Sequence, residues 1–85
     1  MLSMTTLSPI EQAVLRALSD ACYGSLGAHV PKEAVAKRLQ PNLKGEAKKQ
    51  LKKLRAKGYC IEHPTGGNTT WQLTPAGLAE SKNFL

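Results

Sequence analysis

The sequence predicts an α+β fold, mostly helical, with a three-helix core, a two-stranded hairpin and a short C-terminal helix. Three observations carry this expectation. Eighty-five residues suffice for one small domain and not for two. Apolar residues recur at helical spacing in three successive segments, and just past Gly58 the period changes from 3.6 to 2. An apolar content of 41% is that of a chain with a core to bury.

Residues 1–6 carry no pattern and are expected to be disordered, which leaves residues 7–85 as a single domain. "LSPIEQAVLRALSDAC" opens it. Ser8 suits a helix cap, Pro9 the first helical position, and Glu11 stands where a capping box needs it. Ile10, Val14, Leu18 and Ala21 or Cys22 follow at helical spacing beside Ala13 and Ala17, so the first helix should run from about Pro9 to Cys22. The two glycines of "YGSLGAH" break it at or just before Gly24. Ala28, His29 and Val30 have room for a very short strand. "VPKEAVAKRLQP" predicts a second, shorter helix, with Pro31 near its start, Pro41 forcing its end, and Ala34, Val35 and Leu39 as its buried stripe.

The third helix is the informative one. Asn42 is its expected N-cap and Gly58 the left-handed residue just past its end. On a helical wheel Leu43, Ala47, Leu51, Leu54 and Gly58 share one narrow arc. Gly45, Lys49, Lys52 and Ala56 face the opposite way, with Lys48 and Arg55 on one flank and Lys53 on the other. "GYCIEHPTGGNTTWQLT" then alternates Tyr59 and Ile61 with Cys60 and Glu62, and Trp71 and Leu73 with Thr70 and Gln72. The turn cluster "PTGGN" lies between the two strands. Alternation with Leu73 assigns Trp71 to the core rather than to base stacking. Thr74 caps and Pro75 opens the last helix, "PAGLAESKNF".

The net charge is +6, and its distribution matters more than its size. Residues 37–57 hold nine of the twelve lysines and arginines and one of the six acids, Glu46. A merely solvated helix face would interleave acids at i+4 to lower the repulsion. Here it is nearly unmitigated, which favours a polyanionic partner. Phosphates opposite Lys48, Lys49, Lys52 and Lys53 would relieve that repulsion and release condensed counterions.

Helix, short strand, helix, tight turn, basic helix, hairpin, helix is also an order that resembles the winged helix-turn-helix. "LKKLRAKGYC" at Leu51–Cys60 resembles that family's passage from third helix into wing. "WQLTPAG" at Trp71–Gly77 resembles the return strand and final helix start of MarR-like and PadR-like regulators. The likeness runs from Ser8 to Leu78. It implies binding to double-stranded DNA, with the third helix in the major groove and the wing along a neighbouring groove or the phosphate backbone. The candidate contacts are Asn42, Lys44, Lys48, Lys49, Lys52, Lys53 and Arg55 on the third helix, Lys37 and Arg38 at the end of the second, and His63, Thr65, Asn68 and Thr69 in the wing.

Lysine discriminates bases poorly beside the arginine fork, Gln50 stands on the flank of the apolar seam, and the wing carries no lysine or arginine. The expectation is therefore backbone-dominated binding of modest sequence specificity, in a small transcriptional regulator or a chromosome-associated protein. About five phosphate contacts would give a log K against log salt slope near −4 to −5. Two other readings stay open: an RNA-binding winged helix, and a winged-helix protein-interaction module. For the second, Leu78, Phe84 and Leu85 would dock on a partner or a second copy.

Other chemistries find little support. The six acids are scattered, neither histidine has a nucleophile–base neighbour pattern, and "PTGGNTT" lacks the lysine of a phosphate-cradling loop, so no enzyme and no cofactor is expected. Cys22, His29, Cys60 and His63 lack zinc-ligand spacing, since residues three apart on a strand face opposite ways; no metal is expected. Two cysteines make no disulfide framework, and no apolar run approaches the roughly 20 residues of a membrane span. No secretory signal is legible at the start. A cytoplasmic location is expected, nucleoid-associated in a prokaryote.

Overall fold

The computed structural model describes residues 7–64 and 66–84, and they form an α+β domain around one core. The expected disorder of residues 1–6 lies outside the described residues. Helix α1 (Pro9–Ala21) starts on a full capping box: Ser8 Oγ accepts from the Glu11 N–H at 3.2 Å, and Glu11 Oε1 accepts from the Ser8 N–H at 2.9 Å. Its inner face carries Val14, Leu15, Leu18 and Ala21. Leu15 is fully buried although it stands outside the spacing that Ile10, Val14 and Leu18 set. A helix packed on several sides needs a wider stripe than one seam provides.

The end of α1 is unusual. Gly24 N–H reaches Ser19 O and Tyr23 N–H reaches Asp20 O, which is the double closure of a Schellman cap. The left-handed position that glycine normally fills is taken by Tyr23, at φ 53°. Strand β1 (His29–Pro31) follows, then helix α2 (Lys32–Ala36). Helix α2 is a turn and a half, and Val35 plugs it into the core. Turns at 37–39 close it well before Pro41, and Leu39 folds inward from them.

The third helix differs from the expectation at its start. Pro41–Glu46 is a 3-10 segment, and the α-helix proper, α3, runs Ala47–Ala56. Asn42 therefore lies inside the 3-10 segment and caps nothing; the residue before that segment is Gln40, without a side-chain cap. Pro41 lacks an N–H and Gly45 has weak helical propensity, so the tighter turn serves as lead-in. From Ala47 onward the apolar seam is as spaced: Ala47, Leu51 and Leu54 are buried against α1. Gly58, at φ 85°, then closes a second Schellman cap, Gly58 N–H to Arg55 O and Tyr59 N–H to Leu54 O.

Strands β2 (Cys60–Pro64) and β3 (Thr69–Leu73) make the hairpin, but the sheet has three strands in the order β1-β3-β2, all antiparallel. The expected short strand forms at His29–Pro31 and pairs with β3, which adds a third strand to the hairpin. Register places Val30, Trp71, Leu73, Cys60 and Glu62 on the face toward the helices. Ile61 opposite Gln72 and His63 opposite Thr70 belong to the outer face. Trp71 is 1% exposed and closes the sheet onto the helices.

Helix α4 (Pro75–Ser81), extended by a 3-10 turn (Lys82–Phe84), returns to pack on α1. Thr74 Oγ1 accepts from the Gly77 N–H at 3.0 Å and donates to Gly58 O at 2.7 Å, tying this helix start to the end of α3. Gly77 is buried at that junction, where any Cβ would collide with the Tyr59 carbonyl. Leu78, expected as an exposed docking residue, is half-buried against the core. The Leu85 expectation and the Phe84 side chain lie outside the described residues.

Candidate nucleic-acid interface

Helix α3 is held by its apolar seam, so its polar side chains leave it in fixed directions. Gln50, on the flank, is buried at 4% exposure and donates from Nε2 to Glu46 Oε1 at 3.1 Å, so it presents nothing outward. That bond engages Glu46, the only acid within the basic run, with Gln50. Lys48, Lys49 and Lys53 are exposed, and none makes an ion pair among the described residues.

Other cations are held. Arg55 NH1 donates to Glu62 Oε1 at 2.6 Å, and Lys52 Nζ lies 3.7 Å from Glu62 Oε2. The expectation of a nearly unmitigated face is corrected here. It weighed acids along the helix, and this acid arrives from β2, in phase with buried Cys60 and opposite Trp71. Lys57 Nζ donates to Glu11 Oε2 at 2.8 Å, pinning the end of α3 to the start of α1. That ammonium, with the Ser8 N–H, holds the Glu11 carboxyl below its ordinary range.

Two further expected contacts, both exposed, bond the chain's own backbone. Lys44 Nζ donates to Ala36 O at 3.0 Å, and Arg38 NH1 donates to Ala34 O at 3.0 Å, so both serve carbonyls at the end of α2. The Arg38 guanidinium also stands 6.0 Å from the Tyr23 ring centroid. Asn42 and Lys37 are exposed, Lys37 as the C-cap of α2.

The hairpin divides the remaining candidates. Asn68 and Thr69 line a groove of about 170 Å³ together with Lys48, Lys32, Glu62 and Trp71, so the hairpin tip does lie beside α3. Thr65 lies outside the described residues. His63 is on the other face of the sheet: its Nε2 bonds Gln72 Oε1 at 2.6 Å, and its ring centroid is 4.3 Å from that of His29. Gln72 donates from Nε2 to Leu26 O, which fixes its oxygen toward His63 and makes the His63 Nε2 the donor. His63 therefore does not join the α3 ridge, because one residue of strand register reverses its direction.

Lys32 and Glu62 were missed. Glu62 had a signal: a carboxylate in phase with an inward cysteine on a half-buried strand needs a cation to meet it. Lys32 had none, since its approach to the hairpin depends on how β1 joins the sheet.

Among the described residues no three histidines, cysteines or acids converge. Cys22 and Cys60 are buried free thiols; burial raises Cys22 and pushes Cys60 up to about 12, so both stay protonated and unreactive. No described helix is long and apolar enough to cross a membrane. Comparison with protein-family models, curated proteins and solved structures finds no match to the chain.

Proposed function

We propose that the chain is a winged helix-turn-helix domain of the MarR-like or PadR-like kind that binds double-stranded DNA. In this reading α3 enters the major groove, β2 and β3 form the wing, and Lys48, Lys49 and Lys53 meet phosphates. One observation carries it. Three ammonium groups stand unpaired on a helix whose other face is locked into the core, while most of their basic neighbours have intramolecular partners. Unrelieved like charge on a rigid support is stabilised by an external polyanion. Asn68 and Thr69, beside Lys48, add polar groups suited to the backbone.

The held cations revise the expected strength. Three or four phosphate contacts, rather than five, give a log K against log salt slope of about −3 to −4. With lysines in the contacting positions, affinity comes from the backbone and sequence selectivity is modest, which suits a chromosome-associated protein or a weakly selective small regulator. Mobility shifts with duplex DNA, single-stranded DNA and duplex RNA at two salt concentrations test the reading. Salt-dependent preference for duplex DNA supports it. No binding at low salt, or preference for duplex RNA, refutes it.

A further inference from the structure

We propose that Glu62 is a built-in counterion that competes with nucleic-acid phosphates for Lys52 and Arg55, and so limits how tightly and how indiscriminately α3 holds a duplex. This rests on the DNA-binding reading above.

The geometry is asymmetric in a useful way. Glu62 sits on the helix-facing side of β2, paired across the sheet with buried Trp71, and its side chain is 15% exposed. Its two partners are nearly half exposed, Lys52 at 46% and Arg55 at 49%. The carboxylate is fixed by strand register, whereas the cations ride on long flexible stems. A phosphate arriving from solvent therefore meets both cations from outside and a fixed negative charge behind them. Each cation gains less from the phosphate, because it must share or leave an acid it already has.

The same carboxylate acts on position. The groove between α2, α3 and the hairpin is lined by Lys32 and Lys48, but also by Glu33 and Glu62, so its charges cancel. A groove whose charges cancel attracts phosphate less than the unpaired Lys49 and Lys53 outside it do. Exposed ion pairs contribute little to folding, which leaves binding as the larger consequence of Glu62. Damping the sequence-independent term also lets weak base preferences count for more, since selectivity is the ratio of the two.

The test is a salt series of duplex affinities, read by fluorescence anisotropy on a random-sequence DNA, for wild type, E62Q, R55Q and E62Q/R55Q. Glu62→Gln should bind roughly three- to tenfold tighter near 0.1 M salt, with a slope steeper by about one. Arg55→Gln should cost little in the wild type and several-fold more in the E62Q background, a coupling that a purely structural role would not produce. Should E62Q fold poorly, R55Q alone still decides: it should change affinity less than about threefold, against the roughly tenfold that one full phosphate contact would carry. An E62Q with unchanged or weaker binding, or a roughly tenfold loss in R55Q, overturns the inference alone. A wild type without salt-dependent binding sinks the DNA reading and this inference together.

Discussion

The two ends of α3 present their cations differently. At its start Lys48 and Lys49 make no ion pair among the described residues. At its end Lys52 and Arg55 share Glu62 and Lys57 holds Glu11, leaving Lys53 as the one open charge on the far flank. The acids come from other elements, α1 and β2. Charge counted along a helix is therefore not charge offered to a partner. What the helix offers is what remains after the fold has closed around it.

The largest expected effect separates open from held cations directly. Reversing Lys48, Lys49 and Lys53 to glutamate should weaken duplex binding at least about 100-fold near 0.1 M salt, with an unchanged circular dichroism spectrum and melting temperature no lower than wild type. Equal binding by that triple variant would mean that α3 is not the contacting helix.

Moving the acid away from the helix is the next largest perturbation. Gly77→Ala forces a methyl group against the Tyr59 carbonyl, one residue before β2, and should cost roughly 3 kcal/mol of stability by denaturant titration. A cost near zero would mean that the junction between α4 and the hairpin is looser than its contacts imply.

The other held cation is tested through pH. The Glu11 carboxyl is held low by Lys57 first and the Ser8 N–H second, so its contribution is complete above the unfolded value of about 4.3 and is lost as pH falls through the lower folded value. Wild type should exceed Glu11→Gln by about 1 kcal/mol at pH 7, the size by which a charge-assisted hydrogen bond exceeds a neutral one, and the two should converge in acid. A constant gap from pH 7 down to pH 2 would contradict the ion pair as its source.

The smallest effect compares the ends of α1 and α3. Tyr23 and Gly58 occupy the same left-handed cap position on two helices. Tyr23→Gly should raise stability by about 0.5 kcal/mol, while Gly58→Ala should lower it by about 1 kcal/mol. Opposite signs are the point of the pair.

Local chemistry was legible in the sequence, and distant chemistry was not. The Ser8–Glu11 capping box, the Thr74 cap, the Gly58 terminator and the seam of Ala47, Leu51 and Leu54 are all local patterns, and all appear in the structure. The pairing of β1 with β3 joins residues some forty apart, and no alternation within three residues can announce it. The start of α3 was misplaced because Asn42 is a good cap only if a helix follows it directly, and Pro41 with Gly45 instead favours the 3-10 segment. For the candidate interface, the outward placement of Lys48, Lys49, Lys52, Lys53 and Arg55 follows from the helical wheel alone. Loss of Arg55 and Lys52 to Glu62, and of Lys44 and Arg38 to the end of α2, depends on contacts that the wheel cannot contain. His63 was placed with the wing contacts because strand direction, unlike strand existence, rests on which neighbour is buried.

Amide chemical-shift mapping during titration with a short random-sequence duplex tests the central claim most directly. The account predicts shifts concentrated at Lys48, Lys49 and Lys53 and at Asn68 and Thr69, fading as salt is raised, with the outer sheet residues His29, Ile61 and His63 unmoved. Shifts centred on that outer sheet face, or none at low salt, would contradict it.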